Sequence, residues 1–105
     1  MDNFRTIYRI LSALEKSMDV EEPDWSCISA EKLGVTEQRW ISLMQSLVEA
    51  GYVAGVKVVS TKVSKEIYLI EPRITLQGLE YLENNTMMKK VYRLVKGIKD
   101  IAPGI

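Results

Sequence analysis

The spacing of apolar residues divides the chain into helical and extended segments. In residues 2–18, apolar side chains recur every three or four positions, which predicts an amphipathic helix capped by Asp2 or Asn3. The apolar stripe of this helix consists of Phe4, Ile7, Tyr8, Leu11, Leu14 and Met18. Acidic residues and Pro23 fill the segment 19–26, which predicts a solvated loop before the next element.

Two helices joined by a short turn are predicted after this loop. Ser29 and Gly34 are typical of the N-cap and the left-handed C-terminal residue of a short helix. A longer helix follows Thr36, its expected N-cap, where Val35 and Trp40 form a hydrophobic staple. The residues expected to face inward are Trp40, Ile41, Leu43, Met44, Leu47 and Val48. Together the two segments predict a helix-turn-helix unit.

A β-hairpin is predicted next. Residues 52–60 and 66–72 are rich in β-branched and aromatic side chains, which is typical of strands. The polar segment STKVSK between them predicts a connecting loop of about six residues. Pro72 is expected to close the second strand, where a missing backbone donor matters least.

The segment ITLQGLEYLENN, residues 74–85, predicts a helix with a glycine in its first turn. Thr75 is the expected N-cap, and Ile74 and Leu79 form a second hydrophobic staple. Gly78 lowers the helix propensity of this segment, and a gain in packing would offset that cost. We therefore expect Gly78 to allow the close approach of a neighbouring helix. One face of the helix is expected to carry Leu76, Leu79 and Leu82.

Residues 86–101 predict a last amphipathic helix, which is the most strongly basic part of the chain. Its apolar side carries Val91, Leu94, Val95, Ile98 and Ala102, and its basic side carries Lys89, Arg93 and Lys96. Residues 86–105 hold five basic side chains and one acidic side chain, whereas the whole chain has 14 of each. The rest of the chain is therefore acidic.

The composition of the chain indicates how many domains it forms and where in the cell it is expected to lie. With 105 residues and 47% apolar residues, the chain fits a single domain, residues 1–105, with a core unit of about 1–84. Cys27 is the one cysteine and is expected to be buried. Trp25 is expected to cover the core, and an exposed anchor for a partner is the alternative. No apolar run is long enough to span a membrane, and the N-terminal segment is not a signal peptide. We therefore expect a cytoplasmic protein without membrane contact.

The residue types also argue against catalysis. There is no histidine, which excludes Ser-His triads and most general acid–base schemes. The sequence contains no phosphate-binding loop, no metal-ligand spacing and no convergent pair of carboxylates. We expect no enzymatic activity, no catalytic residues, no cofactor and no metal.

The order of the predicted elements is that of a winged-helix domain in which the hairpin is the wing. The segments GVTEQRW, LVEAGYVAGV, ITLQGLEYLENN and KVYRLVKGIKDI resemble the YjcQ family, small winged-helix proteins of Gram-positive bacteria and their prophages. The resemblance covers most of residues 29–100. It implies an α+β winged helix-turn-helix domain, mostly helical, with a two- or three-stranded antiparallel wing and an added C-terminal helix. It also implies a bacterial or phage-infected host cell, and no particular activity.

In a winged helix that binds DNA, the second helix of the pair enters the major groove. Candidate base contacts on its outward side are Gln38, Arg39, Ser42, Gln45 and Ser46. Gln pairs with adenine and Arg with guanine, which makes these residue types suitable for sequence recognition. Glu37 and Glu49 nevertheless leave this helix with a net negative charge, so an ordinary solvated face is the alternative.

Lysines on the hairpin are candidates for DNA backbone contacts: Lys57, Lys62 and Lys65. The alternative is that they protect an exposed sheet edge from aggregation. For the basic side of the last helix, we expect contact with phosphate or with an acidic partner. Its alternatives are packing against the acidic body and a favourable interaction with the helix dipole.

Three functions remain open at this point. The first is a small DNA-binding regulator that contacts double-stranded DNA through the second helix and the wing. The second is a protein–protein interaction module on the same scaffold, favoured by the zero net charge. The third is a structural accessory without a stable ligand. A homodimer through the apolar side of the C-terminal helix is a further expectation.

Overall fold

The computed structural model describes residues 3–85, 88–90 and 93. The order of elements is α1 (Asn3–Ser17), a 3-10 turn (Trp25–Ile28), α2 (Ala30–Leu33), α3 (Glu37–Glu49), β1 (Val53–Ser60), β2 (Lys65–Ile74) and α4 (Leu76–Asn84). Residues 88–90 and 93 are also helical, whereas most of the helix predicted over 86–101 lies outside the described residues. The fold is α+β, and its order of elements is compatible with a winged helix.

The helix-turn-helix unit forms as its caps predict. The Ser29 hydroxyl accepts from the Lys32 amide at 3.3 Å, and Gly34 ends α2 with a φ of 73°. The Thr36 hydroxyl accepts from the Arg39 amide at 3.1 Å and starts α3. Inside the core, the Trp40 indole Nε1 donates to the Ile28 carbonyl at 2.7 Å. This bond fixes α3 against the 3-10 turn.

The core lies between α1, the helix-turn-helix unit and the base of the hairpin. Among the described residues, the fully buried hydrophobic side chains are Ile10, Leu11, Leu14, Ile28, Met44 and Met88. The predicted stripe of α1 is partly wrong, because Phe4 and Met18 are 39% and 61% exposed whereas Ile10 is fully buried. The reason is that α1 packs against β2, α4 and the 3-10 turn, so its buried face extends toward Ile10.

The loop before α2 gives one confirmed and one wrong prediction. Trp25 is half-buried and packs against the core, as expected. Cys27 is exposed rather than buried, and its thiol lies 3.3 Å from the Asp24 carbonyl. In a 3-10 turn, neighbouring side chains point about 120° apart. Trp25 and Ile28, three positions apart, share the inner side and leave Cys27 outside.

The hairpin is antiparallel and has one irregularity. The ladder runs from Val53 opposite Ile74 to Ser60 opposite Lys65, with a register shift at Gly55. Gly55 has a φ of 77°, and a Cβ there would collide with the Glu71 carbonyl. The predicted end of β2 at Pro72 is wrong, because the strand continues to Ile74. Pro72 is fully buried beside the irregular register, where its missing N–H breaks no ladder bond.

The connection between the strands is shorter than predicted. Four residues, 61–64, form a tight turn in which the Thr61 amide donates to the Ser64 carbonyl at 2.7 Å. The Thr61 hydroxyl also accepts from the Ser64 amide at 3.0 Å. These bonds from Thr61 stabilise a four-residue turn. Ser60 and Lys65, the two ends of the polar segment, therefore pair in the ladder and do not belong to a longer loop.

The start of α4 is anchored to the end of α3. The Thr75 amide donates to the Tyr52 carbonyl at 3.0 Å, and the Thr75 hydroxyl donates to the Gly51 carbonyl at 2.5 Å. A Cβ on Gly78 would collide with the Tyr52 carbonyl and lie 2.6 Å from Ile74 Cγ1. The close approach at Gly78 is therefore confirmed, but it comes from the backbone after α3, not from a neighbouring helix.

The apolar face predicted for α4 is only partly buried. Leu82 is buried and Leu79 packs against the core, whereas Leu76 is 84% exposed. Leu76 is the first residue of the helix, where the chain has just left the sheet and the side chain points to solvent.

Candidate nucleic-acid interface

The outward side of α3 presents a strip of polar side chains. Because Trp40, Leu43, Met44 and Leu47 turn into the core, the opposite side of the helix faces solvent. Gln38, Arg39, Ser42 and Ser46 are exposed there, and Gln45 is partly buried. Within the described part of the chain, the side chains of Gln38, Ser42 and Ser46 have no intramolecular partner. They are available to donate and accept hydrogen bonds.

Arg39 joins the strip to the beginning of α1. Its Nη1 donates to the Asn3 Oδ1 at 2.8 Å, across 36 positions of sequence. The guanidinium group has five N–H donors, so this bond leaves donors for an external acceptor. The bond places the Arg39 guanidinium at the N-terminal end of the strip.

Gln45 joins the strip to the hairpin. Its Oε1 accepts from the Lys65 ammonium at 2.8 Å, and its Nε2 donates to the Glu49 carboxylate at 3.0 Å. These bonds place the base of the turn beside the middle of α3. Both polar atoms of the Gln45 side chain form intramolecular hydrogen bonds, so this residue connects α3 with β2. No sequence pattern signals the contact, because residues 45 and 65 are 20 positions apart.

The three hairpin lysines lie in different places. In the ladder, Lys65 is opposite Ser60 and shares a face with the pairs Val58–Ile67 and Val56–Leu69. Ile67, Leu69 and Val56 pack against the core, so this is the inner face, which is turned toward α3. Lys57 is opposite Tyr68 on the outer face, and Lys62 lies in the turn. The structure therefore brings Lys65 to the strip and separates Lys57 from it.

Charge is unevenly distributed over this region. On α3, Glu37 and Glu49 outnumber Arg39, whereas the hairpin, residues 53–74, has four basic and two acidic side chains. All three hairpin lysines are exposed. The strip itself is thus polar, and the positive charge lies beside it on the hairpin.

The basic residues of the last helix are only partly described. Lys89 is exposed and Arg93 is partly buried, whereas Lys96 lies outside the described residues. Met88, next to Lys89, is fully buried, so this segment packs against the core.

An open groove of about 320 Å³ lies between the α3–β1 connection and α4. It is lined by Tyr52, Gln77, Glu80, Tyr81, Asn84 and Asn85. The Tyr52 and Tyr81 rings stack with centroids 4.5 Å apart. Burial raises the pKa of the Tyr81 phenol, and Tyr52 adds to the shift. In the part of the chain that the structure describes, no cluster of three metal-ligating side chains occurs.

Comparisons with known proteins identify relatives. The sequence matches the model of the YjcQ protein family over residues 8–101. It is 32% identical over 73 residues to a Bacillus subtilis (strain 168) protein described as "Uncharacterized protein YjcQ". That alignment covers 70% of this chain and 76% of the relative. No solved structure gives a significant match. Over residues 3–85, 88–90 and 93, no helix is long and apolar enough to cross a membrane.

Proposed function

This chain belongs to the YjcQ family, and from its own surface we propose that it binds double-stranded DNA as a small winged-helix regulator of a bacterium or phage. The α3 helix enters the major groove, and the hairpin lies along the adjacent backbone. Gln38, Arg39, Ser42 and Ser46 contact base edges and phosphates at the floor and walls of the groove.

The observation that supports this proposal best is the hydrogen bond between Lys65 and Gln45. It holds a cation from the hairpin against the polar strip of α3, so one surface presents hydrogen-bonding side chains and positive charge together. The Lys65 ammonium has three donors and uses one on Gln45, which leaves two for phosphate oxygens.

Lys62 extends the positive charge beyond the strip. It is exposed in the tight turn at the far end of the hairpin, and its proposed role is a contact with a neighbouring phosphate. Lys89 and Arg93 belong to the chain segment after α4, and their proposed role is a further phosphate contact. With two or three phosphate contacts, the logarithm of the binding constant falls with the logarithm of salt concentration by a slope of about −2 to −3.

The experiment is a titration of a labelled mixed-sequence duplex followed by fluorescence anisotropy. At about 50 mM salt we expect a dissociation constant of the order of 10–100 µM, and binding weakens about tenfold or more at about 150 mM salt. Absence of binding at tens of micromolar protein in low salt contradicts the proposal.

A matched pair of variants locates the surface. Lys65→Ala and Lys57→Ala remove the same charge from opposite faces of one hairpin. We expect Lys65→Ala to weaken DNA binding about fivefold and Lys57→Ala to change it less than twofold. Equal effects of the two substitutions contradict a surface built from α3 and the inner face, and they leave only a diffuse attraction by the positive charge of the hairpin.

A protein–protein interaction module is the second candidate function. The observation that favours it is the excess of acid on α3, where Glu49 lies on the outward strip and accepts from Gln45. In this case the chain gives no anisotropy change with DNA at low salt, and a specific protein partner is retained after nuclease treatment. A partner that is lost on DNase treatment supports the DNA proposal instead.

A further inference from the structure

The outer face of the hairpin carries a compact group of four side chains that faces away from α3. Two cross-strand pairs form it: Lys57 opposite Tyr68, and Val59 opposite Glu66. Lys57 and Glu66 are exposed, Tyr68 is 46% exposed, and Val59 is partly buried. None of the described helices covers this group, which we name the outer patch.

The four side chains of the outer patch occupy the corners of a quadrilateral. Lys57 and Glu66 lie on one diagonal, and Val59 and Tyr68 lie on the other, because each strand advances by two residues on the same face. The two charges are opposite in sign, and the other two corners are apolar or aromatic. The patch is therefore complementary to itself.

Two copies of the outer patch can pair around a two-fold axis. A two-fold axis along the Val59–Tyr68 diagonal places Lys57 of one copy over Glu66 of the other, and this pairing occurs twice. The same axis places Val59 over Val59 and Tyr68 over Tyr68. The strands of the two hairpins then cross at a steep angle, which is one of the two preferred arrangements of packed sheets.

A hydrogen bond within the outer patch orients Glu66 for the contact with Lys57 of the other copy. The Tyr68 hydroxyl donates to Glu66 Oε1 at 2.6 Å, which fixes the carboxylate on the outer face. The second carboxylate oxygen remains for the ammonium group of Lys57 from the other copy. The same bond raises the pKa of the Tyr68 phenol, with a further contribution from the Glu66 charge.

We propose that the outer patch is a homodimer interface, in which two copies of this chain pack hairpin on hairpin through reciprocal Lys57–Glu66 ion pairs. This interface is independent of the proposed DNA surface, because the two lie on opposite faces of the hairpin. A patch of four side chains with its rim is small, and small interfaces are typical of transient complexes. We expect a dissociation constant of the order of 100 µM.

Sedimentation velocity over about 10–500 µM protein tests the proposal through charge reversal. We expect the wild-type chain to dimerise reversibly, and Lys57→Glu and Glu66→Lys each to weaken the dimer about tenfold or more, because each places two like-charged pairs in the interface. The double variant K57E/E66K, and an equimolar mixture of the two single variants, restore opposite charges at both contacts. Both are expected to return to within about threefold of the wild type.

The experiment also needs a control variant and a check that each variant is folded. Lys62→Glu makes the same charge change in the turn, beyond the ladder, and is expected to leave the dimer unchanged. Far-UV circular dichroism checks that each variant is folded. A wild-type chain that stays monomeric at about 500 µM overturns the proposal. So do single reversals that dimerise like the wild type, and a double variant and mixture that both remain monomeric.

Discussion

The helices α3 and α4 begin with the same local device in two different environments. The segments VTEQRW and ITLQGL each place an apolar residue before a threonine cap and another apolar residue at the fourth helical position. The Thr36 hydroxyl accepts from the Arg39 amide at 3.1 Å, and the Thr75 hydroxyl accepts from the Gly78 amide at 3.0 Å. At the third helical position one helix has Arg39 and the other has Gly78.

The difference at this position follows from what lies beside each helix. Arg39 faces solvent and extends toward the start of α1. Gly78 is buried, and the Tyr52 carbonyl occupies the space that a Cβ would need. The comparison shows that the local cap fixes where each helix begins, while tertiary packing decides which side chain the first turn can carry.

The largest effect is expected from Gly78→Ala. Helix propensity alone predicts that alanine stabilises the helix by about 1 kcal/mol. We expect a loss of about 2–4 kcal/mol in the free energy of unfolding, because the new Cβ collides with backbone rather than with a flexible side chain. Urea denaturation measures it. The control compares Arg39→Ala with Arg39→Gly, where alanine is expected to be the more stable. A stabilising Gly78→Ala contradicts the packing at this site.

The two threonine caps should differ when each is replaced by alanine. Thr36→Ala removes one cap bond and is expected to cost about 1 kcal/mol. Thr75→Ala also removes the bond to the Gly51 carbonyl and is expected to cost about 2 kcal/mol. Thr75→Ser keeps the hydroxyl and should cost less than either. Equal costs for the two alanine variants mean that the Gly51 bond contributes nothing to stability.

Arg39→Ala separates stability from the proposed DNA contact. Its bond to Asn3 is exposed, so we expect the free energy of unfolding to change by less than about 0.5 kcal/mol. The affinity for duplex DNA is expected to fall about fivefold or more. Lys16→Ala, which removes an equal charge at the end of α1, is the matched control for anisotropy. A similar loss of affinity in both variants argues against a specific role for Arg39.

The smallest effect concerns pH and the environment of α4. The folded chain holds the Tyr81 proton more tightly than the unfolded chain, since burial raises the pKa of this phenol above its ordinary value near 10. The resulting stability is present below pH 10 and is lost as the pH rises through the folded-state pKa. Tyr81→Phe should reduce the decline in stability above about pH 10. An identical decline in the variant refutes this assignment.

Local patterns predicted where α2, α3 and α4 begin and where α2 ends. These predictions succeed because a cap, a hydrophobic staple and a C-terminal glycine each act within about six residues. Ser29, Gly34, Thr36 and Thr75 all have their predicted roles. Features that depend on distant segments were missed. The partners of Gly55 and Gln45 are 16 and 20 positions away, Glu71 and Lys65, and a periodic pattern carries no information about which distant residue it meets.

The candidate site shows the same division. The exposure of Gln38, Arg39, Ser42 and Ser46 follows from helical periodicity and was predicted, whereas Gln45 is partly buried. The assignment of hairpin lysines to faces was not, because a register change of one residue moves every side chain to the other face. The true ladder, with Ser60 opposite Lys65, places Lys65 toward α3 and Lys57 away from it.

The most direct test of the DNA surface is a map of backbone amide chemical shifts in the labelled protein during titration with duplex DNA at low salt. We predict that the largest changes occur at Gln38, Ser42, Ser46 and Lys65, and that Lys57 and Tyr68 on the outer face change little. Shifts concentrated on the outer face, or no shifts at saturating DNA, contradict a DNA surface made of α3 and the inner face of the hairpin.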